Sequence, residues 1–465
     1  MQLIAVILYI AILLTIGALT YRRNISSSEY ILGGRQMNFY LTAMAAHASD
    51  MSSWLFLAYP ATLYTMGLSG VWTAIGLTLF MYLNWQFVAP KIRTETEKYG
   101  SMTYSSFFES RLSDTGGWIR ILTALMLLIF YTIYISAGFM SLGILTQSLF
   151  GIEYWIGVTI GVCIVIPYLF IAGYITLAWT DLFQGIFLLI VIVLVPLFAL
   201  DHASSISAAA ATQHISMDFL PTGGWLGALF VMLSWGLGYF GQPHIVTKFM
   251  GISDPKEIPK AKYIGMSWQI IALGFSTLIG LIAIPFFQHG ISDPQLVFVR
   301  ITEQTFSPFI AAFILCAILG ATITVTDSQI LVVASSLAED FYKRVFRKGA
   351  ESREILTITR ISVFLVAAIA YCISLRRTDT IFQLVSYAWF GLGSAFGPLL
   401  ILSLYWEKTT KQGAWAGIVV GGGVAAIWPL TQSTIPTLVP GFFLSVLAIW
   451  IISLVTQPKE TFHEE

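Results

Sequence analysis

At 465 residues, 57% of them hydrophobic and only 10% charged, with a mean hydropathy of +0.80, the chain is too apolar for a soluble protein. Such a protein would carry about a quarter charged residues. The 24 basic and 24 acidic residues cancel, so net charge points neither to a nucleic-acid partner nor to an acidic surface.

The first apolar run, Leu3 to Leu19, is followed by Tyr21-Arg22-Arg23-Asn24. A secretory signal would place its cations before the apolar core, so the run reads as a retained helix. A bilayer core about 30 Å thick needs roughly 20 apolar helical residues. On that measure spans are expected at 2–20, 38–65, 68–90, 118–148, 153–175, 178–200, 223–249, 263–288, 306–340, 357–375, 380–406, 412–432 and 437–457. The class is an all-α polytopic membrane protein of thirteen transmembrane helices, a single transporter domain over 1–465 in contact with the lipid bilayer. The connections at 91–117 and 201–222 are too short for an independent core. Cys163, Cys316 and Cys372 sit in apolar runs without metal or disulfide spacing.

With the amino terminus outside, all but Arg300, Arg376 and Arg377 of the 24 Lys and Arg fall in inner segments, and the carboxyl terminus is cytoplasmic. Lys248 is counted among these inner cations, and Glu339 and Asp340, near an inner helix end, read as solvated.

Two spans are interrupted. His47-Ala48-Ser49-Asp50-Met51-Ser52-Ser53 breaks 38–65, and Ser234-Trp235-Gly236-Leu237-Gly238-Tyr239-Phe240-Gly241-Gln242-Pro243 breaks 223–249. Glycine and proline weaken helix continuity. The second broken span comes five spans after the first, so the second half is inverted relative to the first, and paired broken helices of this kind mark a transporter's midplane site.

Acids inside spans are functional candidates because a mid-bilayer carboxylate is costly; they are Asp50, Asp181 and Asp327. Thr324, Asp327 and Ser328 share a helix face at i, i+3 and i+4, and an oxygen-rich face suits a hard cation. Ser and Thr also serve ordinary helix-helix hydrogen bonding. Trp54, Tyr134, Trp235 and Tyr239, beside or near the breaks, suit a pocket for a small organic substrate. His47 reads as an interior hydrogen-bonded group, with proton handling as its alternative.

The chain resembles the sodium/solute symporters, and most closely the proline-transporting members of that family. The resemblance runs through Tyr30-Ile31-Leu32-Gly33-Gly34-Arg35, Ala48-Ser49-Asp50-Met51-Ser52, Ala178-Trp179-Thr180-Asp181, Trp235 to His244, Ser386-Tyr387-Ala388-Trp389 and Gly397-Pro398. It implies an inverted five-plus-five repeat of helices 2 to 6 and 7 to 11 (38–200 and 223–406), with one extra helix before it (2–20) and two after it (412–457). It implies a sodium site at the carbonyls of Ala48, Met51 and Ala321 with side chains at 324 and 325. The implied substrate pocket holds Ser52, Trp54, Tyr134, Trp235 and Tyr239. Asp50 matches the family's acid at the break and Arg35 its inner gate. Asp181, with positions 324, 327 and 328, matches a set that holds a second sodium in some members.

The chain departs from the family pattern at four places. Val325 replaces a second hydroxyl, Asp327 replaces a small hydroxyl residue, His47 replaces a small residue, and Ala58 replaces a glycine, narrowing the pocket. The function read from all this is sodium-coupled uptake of proline or a similar small amino acid by alternating access. Proton-coupled uptake of another small zwitterion is the alternative, since Asp181 and Asp327 can share a proton. No obligatory protein partner is indicated. Charge rings of a channel, a soluble signalling domain, a nucleotide loop and a nucleophile paired with a base are all missing from the sequence, which disfavours channel, sensor and enzyme.

Overall fold

The computed structural model describes residues 1–21, 26–171, 173–201, 206–376 and 379–457. Arg22, Arg23, Asn24, Arg377 and Lys459 therefore lie outside the described residues. Among the described residues the chain is helical without strands, with one isolated backbone bridge between Met37 and Ile252.

The main helices are α1 (Gln2–Thr20), α2 (Phe39–Met51), α3 (Ala58–Met66), α4 (Val71–Leu83), α5 (Ala89–Lys98), α6 (Tyr104–Arg111), α7 (Trp118–Phe150), α8 (Tyr154–Ile171) and α9 (Tyr174–Phe198). They continue as α10 (Gly224–Gly236), α11 (Pro243–Met250), α12 (Ile258–Phe286), α13 (Val297–Thr305), α14 (Pro308–Ser335), α15 (Ser352–Ser374), α16 (Ile381–Tyr405), α17 (Lys411–Ile427) and α18 (Leu438–Thr456). Among the described residues, 11 helical segments are long and apolar enough to cross a membrane. That differs from an expectation of thirteen for a physical reason. α2 has 13 residues before its break, and the chain from Ser53 to Lys98 runs as one 46-residue segment through two expected spans. α8 carries a further apolar stretch, Tyr154–Pro167, of its own.

α14 is the centre of the molecule. Its most apolar stretch is 83% buried, whereas that of α1 is 17% buried, which leaves Leu3, Ile4, Ile7 and Leu14 exposed at the surface. α2 packs against α9, α12, α11 and α14, while α7 packs against α8, α14, α15 and α16. α17 and α18 form an adjoining pair on α16. Between apolar helices in lipid the hydrophobic effect is weak, and close backbone approach with hydrogen bonds takes over at about 0.6 kcal/mol per bond. Ser445 Oγ donates to Gly417 O at 2.9 Å, and the hydroxyls of Thr410 and Thr456 meet at 2.8 Å.

The inner-segment cations converge at one end of the bundle. Arg35 reaches Met250 O and Ser101 O, Arg93 reaches Ile252 O, Arg111 reaches Ser403 O and Arg120 reaches Asp340.

Candidate functional site at the two helix breaks

α2 stops where Ser52 takes φ +49 and ψ −171. A serine at positive φ is a strained conformation, and the Ser52 hydroxyl offsets it by accepting from Trp54 N at 3.1 Å. One tight turn, Ser53–Leu55, then leads into α3. The second break follows α10, where Leu237–Gly241 forms a 3-10 turn and Gln242 is extended before Pro243 opens α11. Proline at a first helical position gives up an N–H that has no helical acceptor anyway. Gly241 is required by packing, since a Cβ there would lie 2.6 Å from Leu392 O on α16.

The breaks face one another. Tyr239 Oη donates to Asp50 Oδ2 at 2.5 Å, and Gln269 Nε2 donates to Tyr239 Oη at 3.3 Å. The rings of Trp54 and Trp235 lie 5.1 Å apart, and Trp54 stacks on Tyr59 at 5.0 Å. Asp50, Met51, Trp54, Tyr134, Trp235 and Tyr239 line one cavity, completed by Leu77, Val385 and Trp389. Its volume is about 20 Å3, room for roughly one water, so the aromatic side chains must part before anything larger can enter. Trp54 Nε1 is buried without a hydrogen-bond partner among the described residues. Such a donor is costly unless a ligand takes it.

Four expected pocket residues thus share one cavity with Asp50. Ser52 is not among the lining residues, since its hydroxyl serves Trp54 N, and Ala58 is buried at the start of α3. The sequence reading assigned no role to Leu77, Val385 or Trp389. Trp389 carried the one available signal: a tryptophan in a buried apolar helix needs an acceptor for its indole N–H. It finds that acceptor at Trp235 O, 2.9 Å away, in the second break.

The face expected to hold a cation lies at the first break. Thr324 Oγ1 donates to Ala48 O at 3.0 Å and lies 3.1 Å from Ala321 O, so one hydroxyl and two carbonyls meet between α2 and α14. Met51, the last residue of α2, is buried, and so is Val325, which supplies no oxygen. Asp327 and Ser328 follow on α14, buried, with Asp327 Oδ1 and Ser328 Oγ unpartnered among the described residues.

Asp181 has a different neighbour from the one expected. Lys248 Nζ donates to Asp181 Oδ2 at 3.1 Å, with side-chain exposures of 3% and 1%. Lys248 is therefore not a loop cation, because a buried ammonium requires a buried counter-charge and Asp181 supplies it.

At the end of the bundle where the cations gather, Arg35 donates to Met250 O at 2.8 Å, Ser101 O at 2.9 Å and Thr96 Oγ1 at 3.2 Å. Arg93 adds Ile252 O at 2.6 Å and Ser253 O at 3.1 Å. Two guanidinium groups thereby hold the carbonyls at and just past the end of α11, where cations are favoured. Glu339 and Asp340 are buried and paired, which corrects their reading as solvated. Asp340 Oδ1 accepts from Arg120 at 2.6 Å and from Thr103 at 2.8 Å, and Glu339 pairs with Lys343 at 2.9 Å.

His47 lies apart from the cavity. Its Nε2 accepts from Trp85 Nε1 at 2.9 Å, and its ring stacks on Trp85. Gly265 makes room for it, since a Cβ there would be 2.2 Å from the imidazole.

The sodium:solute symporter family model matches residues 30–421. The high-affinity proline transporter PutP of Bacillus subtilis is 38% identical over 454 residues, 96% of each chain. Sodium/proline symporter 2 of Staphylococcus saprophyticus is 39% identical over 479 residues, 99% of this chain and 94% of that relative. In three dimensions the chain is similar to a Na+-coupled sialic acid symporter in its substrate-bound outward-open state, with TM-score 0.83, 17% identity and 98% of both chains covered. It is also similar to MHP1, a nucleobase-cation-symport-1 family transporter, with TM-score 0.57, 14% identity and 93% and 96% covered. At these identities the structural likenesses speak to the fold alone.

Proposed function

Because the chain belongs to the sodium:solute symporter family and is a transporter rather than an enzyme, we propose that it brings proline, or a similar small amino acid, inward together with sodium. The observation that carries this reading is the aromatic cavity between the two breaks, whose one acid is Asp50. Trp54, Trp235 and Tyr134 offer π faces to a substrate ammonium. The unpartnered Trp54 Nε1 offers a donor to its carboxylate. The proline transport named for both relatives agrees with this chemistry.

Sodium is the co-transported cargo. Ala48 O, Ala321 O and Thr324 Oγ1 form part of an oxygen set suited to a hard cation, with Met51 O at the end of α2 adding to it. A sodium there bridges α2 to α14 and so favours one arrangement of the first broken helix over the other. Alternating access then moves the broken helices between an outward-open state and an inward-open one, with Arg35 and Arg93 closing the inner end in the first. The two breaks, five expected spans apart, support the inverted five-plus-five repeat. The loop charges support an outside amino terminus and a cytoplasmic carboxyl terminus.

A proton is the second reading for the coupling ion, favoured by Asp327, a buried acid with an unpartnered Oδ1. The experiment that decides is uptake of labelled proline and other amino acids into proteoliposomes under an imposed sodium gradient and, separately, an imposed proton gradient. Proline uptake driven by sodium alone is the expected result; uptake unchanged when sodium is withdrawn defeats sodium coupling.

A further inference from the structure

Inward of the cation face, three buried ionisable side chains from three helices lie together: Asp181 on α9, Lys248 on α11 and Asp327 on α14. Asp327 is within electrostatic range of both others. The Lys248 ammonium contacts Asp181 Oδ2 at 3.1 Å and lies 5.2 Å from the centroid of the Tyr174 ring. Tyr174 also donates to Thr247 O at 2.9 Å, which fixes the backbone beside the lysine. Ser328 and Lys248 line the same inner cavity.

An ammonium and a sodium ion make the same demand on a buried carboxylate: one positive charge, close to the oxygen, in place of lost water. A direct nitrogen-oxygen contact at 3.1 Å leaves no room for an ion between the two groups. Sequence similarity would place a second sodium at Asp181, and the residues present do not fit one there. We propose that Lys248 is a tethered cation, its ammonium holding at Asp181 the place of a second sodium, so that the chain moves a single sodium with each substrate. The proposal rests on the sodium-coupled reading above and adds its stoichiometry. It also gives the charge a carrier. Lys248 rides on α11, the second half of a broken helix, so a rearrangement of that helix acts on the ion pair without any ion entering or leaving.

The test measures equilibrium binding of radioactive sodium to purified protein, sodium-dependent thermal stabilisation, and the sodium dependence of proline uptake in proteoliposomes. The wild-type chain binds one sodium, with a Hill coefficient for uptake of about one. Lys248→Met exposes Asp181 to solute cations, so bound sodium doubles and the melting temperature rises more steeply with sodium concentration. The double variant Lys248→Met/Asp181→Asn removes both charges and returns to one bound sodium; it keeps the question answerable if the single variant does not fold. Two sodium ions on the wild-type chain overturn the tethered-cation proposal and leave sodium coupling standing. So does a folded Lys248→Met protein that binds only one. Loss of all sodium binding in a folded double variant also overturns it, because Asp181 or Lys248 would then belong to the primary site. A wild-type chain that binds no sodium overturns the coupling reading and this proposal together.

Discussion

Tyr239 reaches across from the second helix break to the first, where its hydroxyl donates to Asp50 Oδ2 at 2.5 Å. Both groups line the central cavity, so this bond ties the two broken helices together at the proposed substrate site. Hydrogen bonds to a charged group contribute about 1.5 to 3 kcal/mol. Tyr239→Phe keeps the ring against Trp389 and removes only the donor. Its proline affinity is expected to fall about tenfold to a hundredfold, read from the concentration dependence of initial uptake at saturating sodium. Unchanged affinity would mean that the bond does not organise the cavity.

Trp54 presents the opposite case, a donor with no acceptor among the described residues. If the substrate carboxylate takes that N–H, Trp54→Phe retains most of the stacking on Tyr59 and loses the hydrogen bond. The expected result is a KM raised about tenfold with little change in maximal rate, provided chemistry-free translocation limits turnover. A proline analogue lacking the carboxylate should be indifferent to the substitution. A loss of equal size for that analogue would assign Trp54 to packing alone.

Much of this site was legible in the sequence. Gly236, Gly238, Gly241 and Pro243 within one apolar span announce a break because glycine and proline both weaken helix continuity. The first break has no glycine at its turn, and what marked it was the polar run around Asp50. The positive φ of Ser52 has no counterpart in residue type. Lys248 was misplaced because a lysine two residues before a helix end resembles a membrane-edge cation. Only a contact with Asp181, 67 residues earlier in the chain, reveals its burial. Asp340 escaped for the same reason, since its partner Arg120 is 220 residues away. Long-range pairing of buried charges leaves no local periodicity to read.

Thr324 is expected to set sodium affinity. Its hydroxyl sits 3.0 Å from Ala48 O and 3.1 Å from Ala321 O, and Thr324→Val removes one oxygen without changing shape. The sodium concentration for half-maximal uptake should rise about tenfold, the equivalent of one hydrogen-bond-sized contact. Val325→Ser adds a hydroxyl beside it and should lower the same quantity severalfold. Opposite shifts in the two variants, at saturating proline, would locate the ion; no shift in either would move the site away from α14.

Arg35 holds the proposed inner end through three acceptors, Met250 O, Ser101 O and Thr96 Oγ1. Lysine preserves the charge but not the planar fork that spans them. In Arg35→Lys the inner end should open more often. A cysteine at Met102, which lines the inner cavity, should then react severalfold faster with a thiol reagent in a background lacking Cys163, Cys316 and Cys372. Sodium should slow that reaction if it favours the outward-open arrangement. An unaltered labelling rate would show that Arg93 and its carbonyl acceptors suffice to hold the end shut.

His47 is expected to be structural rather than a proton carrier. Its Nε2 accepts from Trp85 Nε1 at 2.9 Å, and an indole nitrogen only donates, so Nε2 is unprotonated and the ring is neutral with its proton on Nδ1. Protonating Nε2 would break that bond in a fully buried site with Gly265 pressed against it. His47→Gln can accept from Trp85 through its amide oxygen and should leave the pH profile of uptake unchanged between about pH 6 and 8, the range in which an ordinary imidazole titrates. His47→Ala strands the Trp85 donor and opens a cavity, costing about 2 to 4 kcal/mol, visible as a lower melting temperature with the same pH profile in whatever protein remains folded. A pH dependence present in the wild type and abolished in His47→Gln would restore this imidazole as a proton carrier and, with it, the case for proton coupling.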